Sequence, residues 1–117
     1  MNFPKHQYVR SKPLMEAYRK IPCQACGIDD GSVCGAHSNS GAMGKGKGIK
    51  ASDEFAASLC HACHYAVDQG RNMSRSERVE LWTKAHYKTV REMVRLNLWP
   101  VGVAVPEIEN IAESVTA

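Results

Sequence analysis

Cysteines and histidines are the residues of this 117-residue chain whose spacing most strongly suggests chemistry. Four cysteines form two Cys-x-x-Cys pairs, Cys23 with Cys26 and Cys60 with Cys63. Structural Zn²⁺ takes four ligands, and thiolate pairs with this spacing are typical of such sites. Four reduced core cysteines or disulfides are the alternatives, but disulfides fit poorly with a chain that shows no secretory signal. We therefore predict one structural zinc. The segment between the two cysteine pairs is longer than in a compact zinc finger, so we expect another structural element to be inserted there.

The second cysteine pair overlaps a second candidate site. His64 and Asp68 lie four residues apart, so on a helix they share a side and can hold one divalent cation. A solvated helix face is the alternative. His61 is expected to point elsewhere and to be exposed or to contact phosphate. Cys34, the fifth cysteine, is expected to be a buried free thiol.

His37 is the candidate for acid–base chemistry. It follows a strand candidate at residues 32–36, and a long loop and a second strand candidate at 55–59 connect it to the cluster Cys60–Asp68. A neutral imidazole can accept a proton from water near neutral pH. A lone histidine is usually structural, but this strand–loop–strand topology favours a catalytic base.

The loop between the two strand candidates is rich in glycine and lysine. Its segment Gly41-x-x-x-x-Gly46-Lys47 has the form of a P-loop start, but Gly48 stands where that motif needs Ser or Thr, so we predict no nucleotide cofactor. Lysines on a glycine backbone can approach phosphates closely, and they contact the backbone rather than the bases. The residues expected to contact phosphates are Arg10, Lys12, Lys45, Lys47 and Lys50.

Charge is distributed unevenly along the chain. All 15 Lys and Arg residues precede Pro100, whereas three of the 12 acidic residues follow it. A basic body with an acidic end suggests a polyanionic partner, most often nucleic acid, with ordinary solubility charge as the alternative. No apolar run approaches the ~20 residues of a membrane span, so we expect no membrane partner.

The elements that must position these side chains are short, except for one long helix. Its capping-box start at Ser74 and its apolar spacing predict a helix over about 75–97. His86 lies near the apolar stripe and is expected to pack or to be exposed rather than to bind metal. The core-facing residues predicted for this helix are Val79, Trp82, Val90, Met93, Val94 and Leu98. The remaining predicted elements are a helix after Ser11 to about residue 20, the two strands and a helix over 60–69 ended by Gly70. The acidic tail at 100–117 is expected to be mobile, with a loosely docked strand as the alternative.

These features in combination resemble the HNH, or ββα-metal, nucleases. The pattern is most similar to small phage and prophage nucleases of the YbcO-like kind. The resemblance covers about residues 8–99 and implies a single nuclease domain at 1–99. It is carried by Arg10-Ser11, His37, Lys50-Ala-Ser-Asp53, Leu59-Cys60-His-Ala-Cys63-His64-x-x-x-Asp68 and Asp68-Gln69-Gly70.

The fold class implied by the resemblance is α+β. A zinc-stapled ββα-metal core at about 32–70 would be accompanied by an N-terminal helix and a long C-terminal helix. The implied function is metal-dependent hydrolysis of DNA phosphodiester bonds by a phage or prophage enzyme in the cytoplasm of a bacterial host. DNA, and recombination or replication proteins of the phage or host, are the implied partners.

The resemblance also implies roles for individual residues. His37 would be the general base, and His64 would bind the catalytic Mg²⁺ or another divalent cation, with Asp68 as the second ligand. Asp53 stands near the place of the family's middle Asn. It is expected to orient His37 or to support the metal site.

One position departs from the family pattern. Many HNH nucleases have a metal-binding Asp or His immediately before the base, where this chain has Ala36. The ion would then keep only His64, Asp68 and water, or recruit Ser38 or Asn39. Alternatively, His37 is itself a ligand and another group is the base.

Two other classes of function compete with the nuclease. A non-catalytic, zinc-containing DNA-binding module on an HNH scaffold is the second hypothesis, and the absent ligand favours it. A RING-like interaction module usually needs eight ligands for two zinc ions, and this chain has no second well-spaced set.

Overall fold

In the part of the chain that the structure describes, three α-helices and one two-stranded antiparallel sheet make an α+β fold, which confirms the predicted class. The structure, a computed structural model, describes residues 9–37, 52–70 and 72–106. The elements in chain order are α1 (Lys12–Ala17), a 3₁₀ turn (Tyr18–Lys20), β1 (Cys34–His37), β2 (Ala56–Leu59), α2 (His61–Gln69) and α3 (Arg75–Arg95).

The N-terminal helix α1 begins as predicted at Ser11. The Ser11 hydroxyl accepts a hydrogen bond from the N–H of Leu14, and Pro13 lies in the first turn, where a missing N–H costs nothing. Leu14, Ala17 and Tyr18 are buried, so the basic helix rests on the domain through one apolar face.

Strands β1 and β2 pair so that Cys34 faces Leu59 and His37 faces Ala56. The first strand begins two residues later than predicted. Residues 30–32 form a turn instead, because the Asp30 carboxylate accepts hydrogen bonds from both the N–H and the hydroxyl of Ser32. The sheet therefore carries cysteines at one end and His37 at the other.

The long helix α3 has the predicted capping box, in which Ser74 and Glu77 bond reciprocally. Its core-facing side is only partly as predicted, because Val79 and Val94 are 39% and 49% exposed. Trp82, Val90 and Met93 are buried as expected, but the remaining inward positions include polar side chains that bond to β2.

Two apolar clusters meet at β2, whose four residues are all buried. One cluster contains Leu59, Val67 and Trp82, and the other contains Leu14, Tyr18 and Met93. Because α1 and α3 both pack next to β2, this strand is the centre of the domain.

The beginning of the predicted tail packs on this second cluster. Val103 lies against it, the Trp99 indole N–H donates to the Val103 carbonyl at 2.9 Å, and the Trp99 ring meets Tyr18 edge-on. Pro106 is also buried. Residues 107–117, which complete the predicted tail, lie outside the described residues. None of the helices in the described ranges is both long and apolar enough to cross a bilayer.

Candidate metal and catalytic sites

The four cysteines of the two pairs converge on one point. The Sγ atoms of Cys23, Cys26, Cys60 and Cys63 all lie within 4.8 Å of one another, and those of Cys26 and Cys60 are 3.6 Å apart. Four sulfurs bound to zinc at ~2.3 Å would be separated by roughly 3.8 Å in a tetrahedron. All five cysteines are free thiols. The four are therefore positioned to hold a metal ion such as zinc, as the spacing predicts.

Backbone geometry places each cysteine pair. The first pair lies in a turn closed by the Gly27 N–H, which donates to the Cys23 carbonyl, and Gly27 has the positive φ of 85° that glycine tolerates best. The Gln24 N–H donates to the Ser58 carbonyl and ties this turn to β2. The second pair opens α2, with Cys60 at its N-cap. A metal here would therefore connect the turn, the sheet and α2.

The electrostatics of the four sulfurs also favour a cation. Burial alone would raise the pKa of the Cys23 thiol, but backbone N–H groups of Cys26, Cys60 and Ala25 lower it to about 6. Burial and the neighbouring sulfurs raise the pKa of Cys63. Thiolates this close repel one another unless a cation lies between them, and thiolate is the form that binds zinc. The donor set has the chemistry of a structural zinc site.

The end of β1 places the predicted base beside a carboxylate. His37 Nε2 lies 2.9 Å from Asp53 Oδ1, and their side chains are 29% and 9% exposed. When neutral His37 donates its Nε2–H to this carboxylate, Nδ1 is the nitrogen that can accept a proton. The contact is the one expected if Asp53 orients His37.

Asp53 is itself held from several sides. Its Oδ2 accepts the Ser11 N–H at 2.6 Å, and its backbone N–H donates to the Val9 carbonyl at 2.9 Å. The Tyr18 hydroxyl donates to the Asp53 carbonyl at 2.7 Å. The N-terminal segment therefore holds the Asp53 carboxylate in place, and this carboxylate in turn orients the His37 ring. This connection was not predicted, because it joins residues 42 positions apart through a backbone N–H.

Two of the predicted phosphate-contacting residues lie near this pair. Arg10 and Lys12 flank Ser11 and are exposed. His61 lies at the start of α2 and is exposed, which is one of the two environments expected for it. The other, contact with phosphate, stays a prediction. The other residues named for phosphate or metal contact, Lys45, Lys47, Lys50, Ser38 and Asn39, lie outside the described residues.

His64 and Asp68 form the second polar pair, on α2. His64 Nε2 lies 3.3 Å from Asp68 Oδ2, and both side chains are about one-third exposed, so they share a helix face as predicted. The other ring nitrogen, Nδ1, lies 3.8 Å from the Cys34 Sγ. Cys34 is a free thiol, as predicted, but it is half-buried rather than buried. The reason is that its position on β1 faces α2 near the surface.

These two polar pairs do not form one ligand group in the part of the chain that the structure describes. Within those residues, the four cysteines are the one group of three or more His, Cys, Asp or Glu side chains close enough to hold a metal. Ala36, which occupies the position of the family's further ligand, is buried, and its carbonyl accepts the Trp82 indole N–H at 2.8 Å. The described residues thus provide two protein ligands, His64 and Asp68, for a catalytic ion.

A third histidine is buried in a role that the apolar spacing of α3 could not reveal. His86 is 1% exposed, its Nδ1 donates to the Ala56 carbonyl at 2.9 Å, and its ring stacks on Trp82 at 4.8 Å. Burial lowers the pKa of His86, partly opposed by this carbonyl. It is a packing residue, one of the two outcomes expected for it.

The comparison with protein-family models, with curated proteins and with solved structures found no match for this chain.

Proposed function

We propose that this chain is a metal-dependent endonuclease of the HNH type, which hydrolyses DNA phosphodiester bonds. The observation that carries the proposal is the 2.9 Å contact between His37 and Asp53 at the end of an antiparallel strand pair. The next element, α2, bears His64 and Asp68. This order of base, strand and metal-binding helix is the one that the sequence shares with the ββα-metal nucleases.

The His37–Asp53 pair supplies the base. Asp53 accepts the Nε2–H and holds the ring, so that Nδ1 can accept a proton from a water molecule that attacks the phosphorus atom. The ring is 29% exposed, which leaves it open to solvent and substrate. The carboxylate also stabilises the imidazolium that forms as the proton moves.

His64 and Asp68 would hold the catalytic divalent cation, which supplies charge stabilisation at the phosphate and the leaving oxygen. Mg²⁺ is commonly bound through one or two protein ligands, with water and substrate phosphates completing its coordination. Two exposed ligands therefore suit a weakly bound ion that acts together with the substrate. The affinity of the free protein for this ion should be low.

The four-cysteine site has a separate structural role in this proposal. One zinc held there ties the turn at residues 23–27 to the first turn of α2, directly before His64. Because zinc binding is coupled to folding, the ion positions α2 against the sheet.

A non-catalytic DNA-binding module is the second candidate. It is favoured by the small ligand set, since no third His, Cys, Asp or Glu among the described residues joins His64 and Asp68 in a ligand group. The two functions differ in one measurable property, metal-dependent cleavage.

Plasmid digestion with Mg²⁺, with Mn²⁺ and with EDTA tests the proposal. We expect wild-type protein to convert supercoiled plasmid in the presence of either ion and not in EDTA. His64→Ala should lose activity at low metal and recover part of it at high metal, because it removes a ligand rather than the base. Gln69→Ala, an exposed change on the same helix, is the matched control and should cleave normally.

If wild-type protein binds DNA but cleaves none of its forms with any divalent ion, the binding-module function replaces the nuclease. If His64→Ala and Gln69→Ala behave alike at every metal concentration, His64 does not bind the catalytic ion.

A further inference from the structure

Four basic residues form a row along the exposed side of α3. Positions 84, 88, 91 and 95 recur at helical spacing and are all exposed, so their side chains lie on one face. We call this row the α3 stripe; its members are Lys84, Lys88, Arg91 and Arg95. They were not among the phosphate-contacting residues predicted from the sequence.

The centre of the stripe carries uncompensated positive charge. At its ends, Lys84 pairs with Glu80 at 3.2 Å and Arg95 with Glu92 at 2.7 Å. Within the described residues, Lys88 and Arg91 make no ion pair. Two adjacent cations without acidic partners attract an anion more strongly than the neutralised ends do.

Arg91 is also held in place before any ligand arrives. Its Nη1 donates to the Tyr87 hydroxyl at 2.9 Å, and its guanidinium lies 5.2 Å from the centre of the Tyr87 ring. A guanidinium fixed in this way loses less side-chain entropy when it binds a phosphate, and its remaining N–H groups can donate to phosphate oxygens.

A groove of about 590 Å³ runs beside the stripe. Three stripe residues, Lys88, Arg91 and Arg95, line it, together with Gln24 from the first cysteine pair and the partly exposed Val105. Glu92, Val90 and Val94 line it as well, so the groove gives the stripe a concave border of basic and apolar side chains.

The dimensions of the stripe fit a nucleic acid backbone. From position 84 to position 95 the helix rises about 16 Å, and phosphates along one strand of a duplex follow at ~3.4 Å along its axis. A stripe of this length can therefore lie beside several phosphates of a duplex, whose strands wind around that axis.

We propose that the α3 stripe is a second contact surface for DNA, at which Lys88 and Arg91 bind phosphates of a duplex. The choice of DNA as the polyanion rests on the proposed function. The positive row is an observation that is independent of that function. Arg10 and Lys12 lie at the start of α1 and the stripe lies on α3, so the duplex would touch the domain at two places. Contacts of this kind add affinity for all sequences alike.

The test is binding of a fluorescent mixed-sequence duplex to the double variant Lys88→Glu/Arg91→Glu, without added divalent ions and over a range of salt concentrations. We expect at least tenfold weaker binding at low salt. The slope of log affinity against log salt should become shallower by about 1.8, since each lost phosphate contact removes ~0.9. The neutral variant Lys88→Gln/Arg91→Gln should show a smaller loss in the same direction.

The matched control is Lys20→Glu/Arg75→Glu, which makes the same change of net charge at two exposed positions outside the stripe. Its affinity should fall less than threefold. An equal loss in the control and the stripe variant would overturn the proposal, because bulk charge alone would then explain binding. If the stripe variants fail to fold, as judged by circular dichroism, the single variant Arg91→Gln takes their place.

Cleavage measurements separate this proposal from the nuclease function. The stripe variant should cut plasmid more slowly but hydrolyse bis(p-nitrophenyl) phosphate at the wild-type rate, because that small substrate needs no extended surface. Wild-type protein that binds DNA through the stripe but cleaves nothing would refute the nuclease and support the stripe. Wild-type cleavage with stripe variants that bind the duplex normally would refute the stripe alone. If the stripe variant binds the duplex normally but no longer binds polyglutamate, the proposed DNA contact is wrong and an acidic protein is the partner of the stripe.

Discussion

The four-cysteine site and the His64–Asp68 pair lie next to each other on α2, yet they differ in how completely the fold assembles them. The cysteine site brings together four ligands from two parts of the chain, and its Sγ atoms lie within 4.8 Å of one another. His64 and Asp68 belong to one helix turn and are one-third exposed. A complete donor set retains its ion without substrate, whereas two ligands share their ion with water and phosphate. In the proposed function, this difference would separate an ion that stabilises the fold from an ion that acts in turnover.

The largest effect should come from the complete site. Cys60→Ser removes a thiolate at the N-cap of α2, so we expect loss of bound zinc and of cooperative thermal unfolding. Elemental analysis should find about one zinc per wild-type chain, and circular dichroism should follow unfolding. Cys34→Ser is the control and should keep its zinc. A Cys60→Ser protein with unchanged zinc content and melting temperature would contradict the structural role of the site.

Removal of the base should leave folding intact and abolish most cleavage. His37→Ala should slow plasmid cleavage by roughly 10²–10⁴-fold, the usual contribution of a general base. Melting temperature and DNA affinity, recorded in parallel, should stay close to wild type. Unchanged cleavage by His37→Ala would remove His37 as the base.

A smaller loss is expected when the partner of the base is changed. Asp53→Asn keeps the size of the side chain but removes its charge, so cleavage should fall by roughly 10–100-fold. Neutral Asn no longer stabilises the imidazolium that forms as the base accepts its proton. Asp29→Asn, an exposed change, is the control for lost charge. A loss of cleavage that is matched by a loss of melting temperature would indicate that Asp53 only supports the fold.

The buried His86 provides a comparison based on stability rather than activity. Burial lowers the pKa of His86, so the unfolded chain binds this proton more readily than the folded one. Its contribution to stability is therefore present above the ordinary histidine pKa and is lost as pH falls. The melting temperature should decrease by several degrees between about pH 7.5 and 5. His86→Gln should be less stable at pH 7.5 and should show a weaker pH dependence; an equal slope would exclude His86 as the cause.

The smallest effect should come from the acidic end of the chain. Truncation after Pro106 removes three glutamates, so duplex affinity should stay unchanged or become slightly tighter in a binding titration. Truncation after Trp99, in contrast, also removes Val103, which packs on the second apolar cluster, and should lower the melting temperature. Weaker DNA binding after the shorter truncation would show that residues 107–117 contribute to the interface.

Local signals in the sequence were sufficient for most elements. The capping box at Ser74 and the N-cap at Ser11 each depend on side chains within one helical turn, and both were predicted. The two Cys-x-x-Cys pairs were likewise predictable, because a zinc site requires a particular ligand spacing as well as particular residue types. By contrast, the exposure of Val79 and Val94 was missed, because apolar spacing does not reveal which face β2 covers.

The sequence by itself determined the elements, the cysteine ligands and the candidate base, since these follow from residue type and short-range spacing. Only the tertiary structure decided what lies beside each of them. It placed Asp53 between His37 and the Ser11 N–H, and it brought Cys34 within 3.8 Å of His64. It also buried His86 and Thr89 against β2, where their polar atoms bond to the strand's backbone. Such contacts join distant residues through packing and backbone groups, which leave no spacing in the sequence.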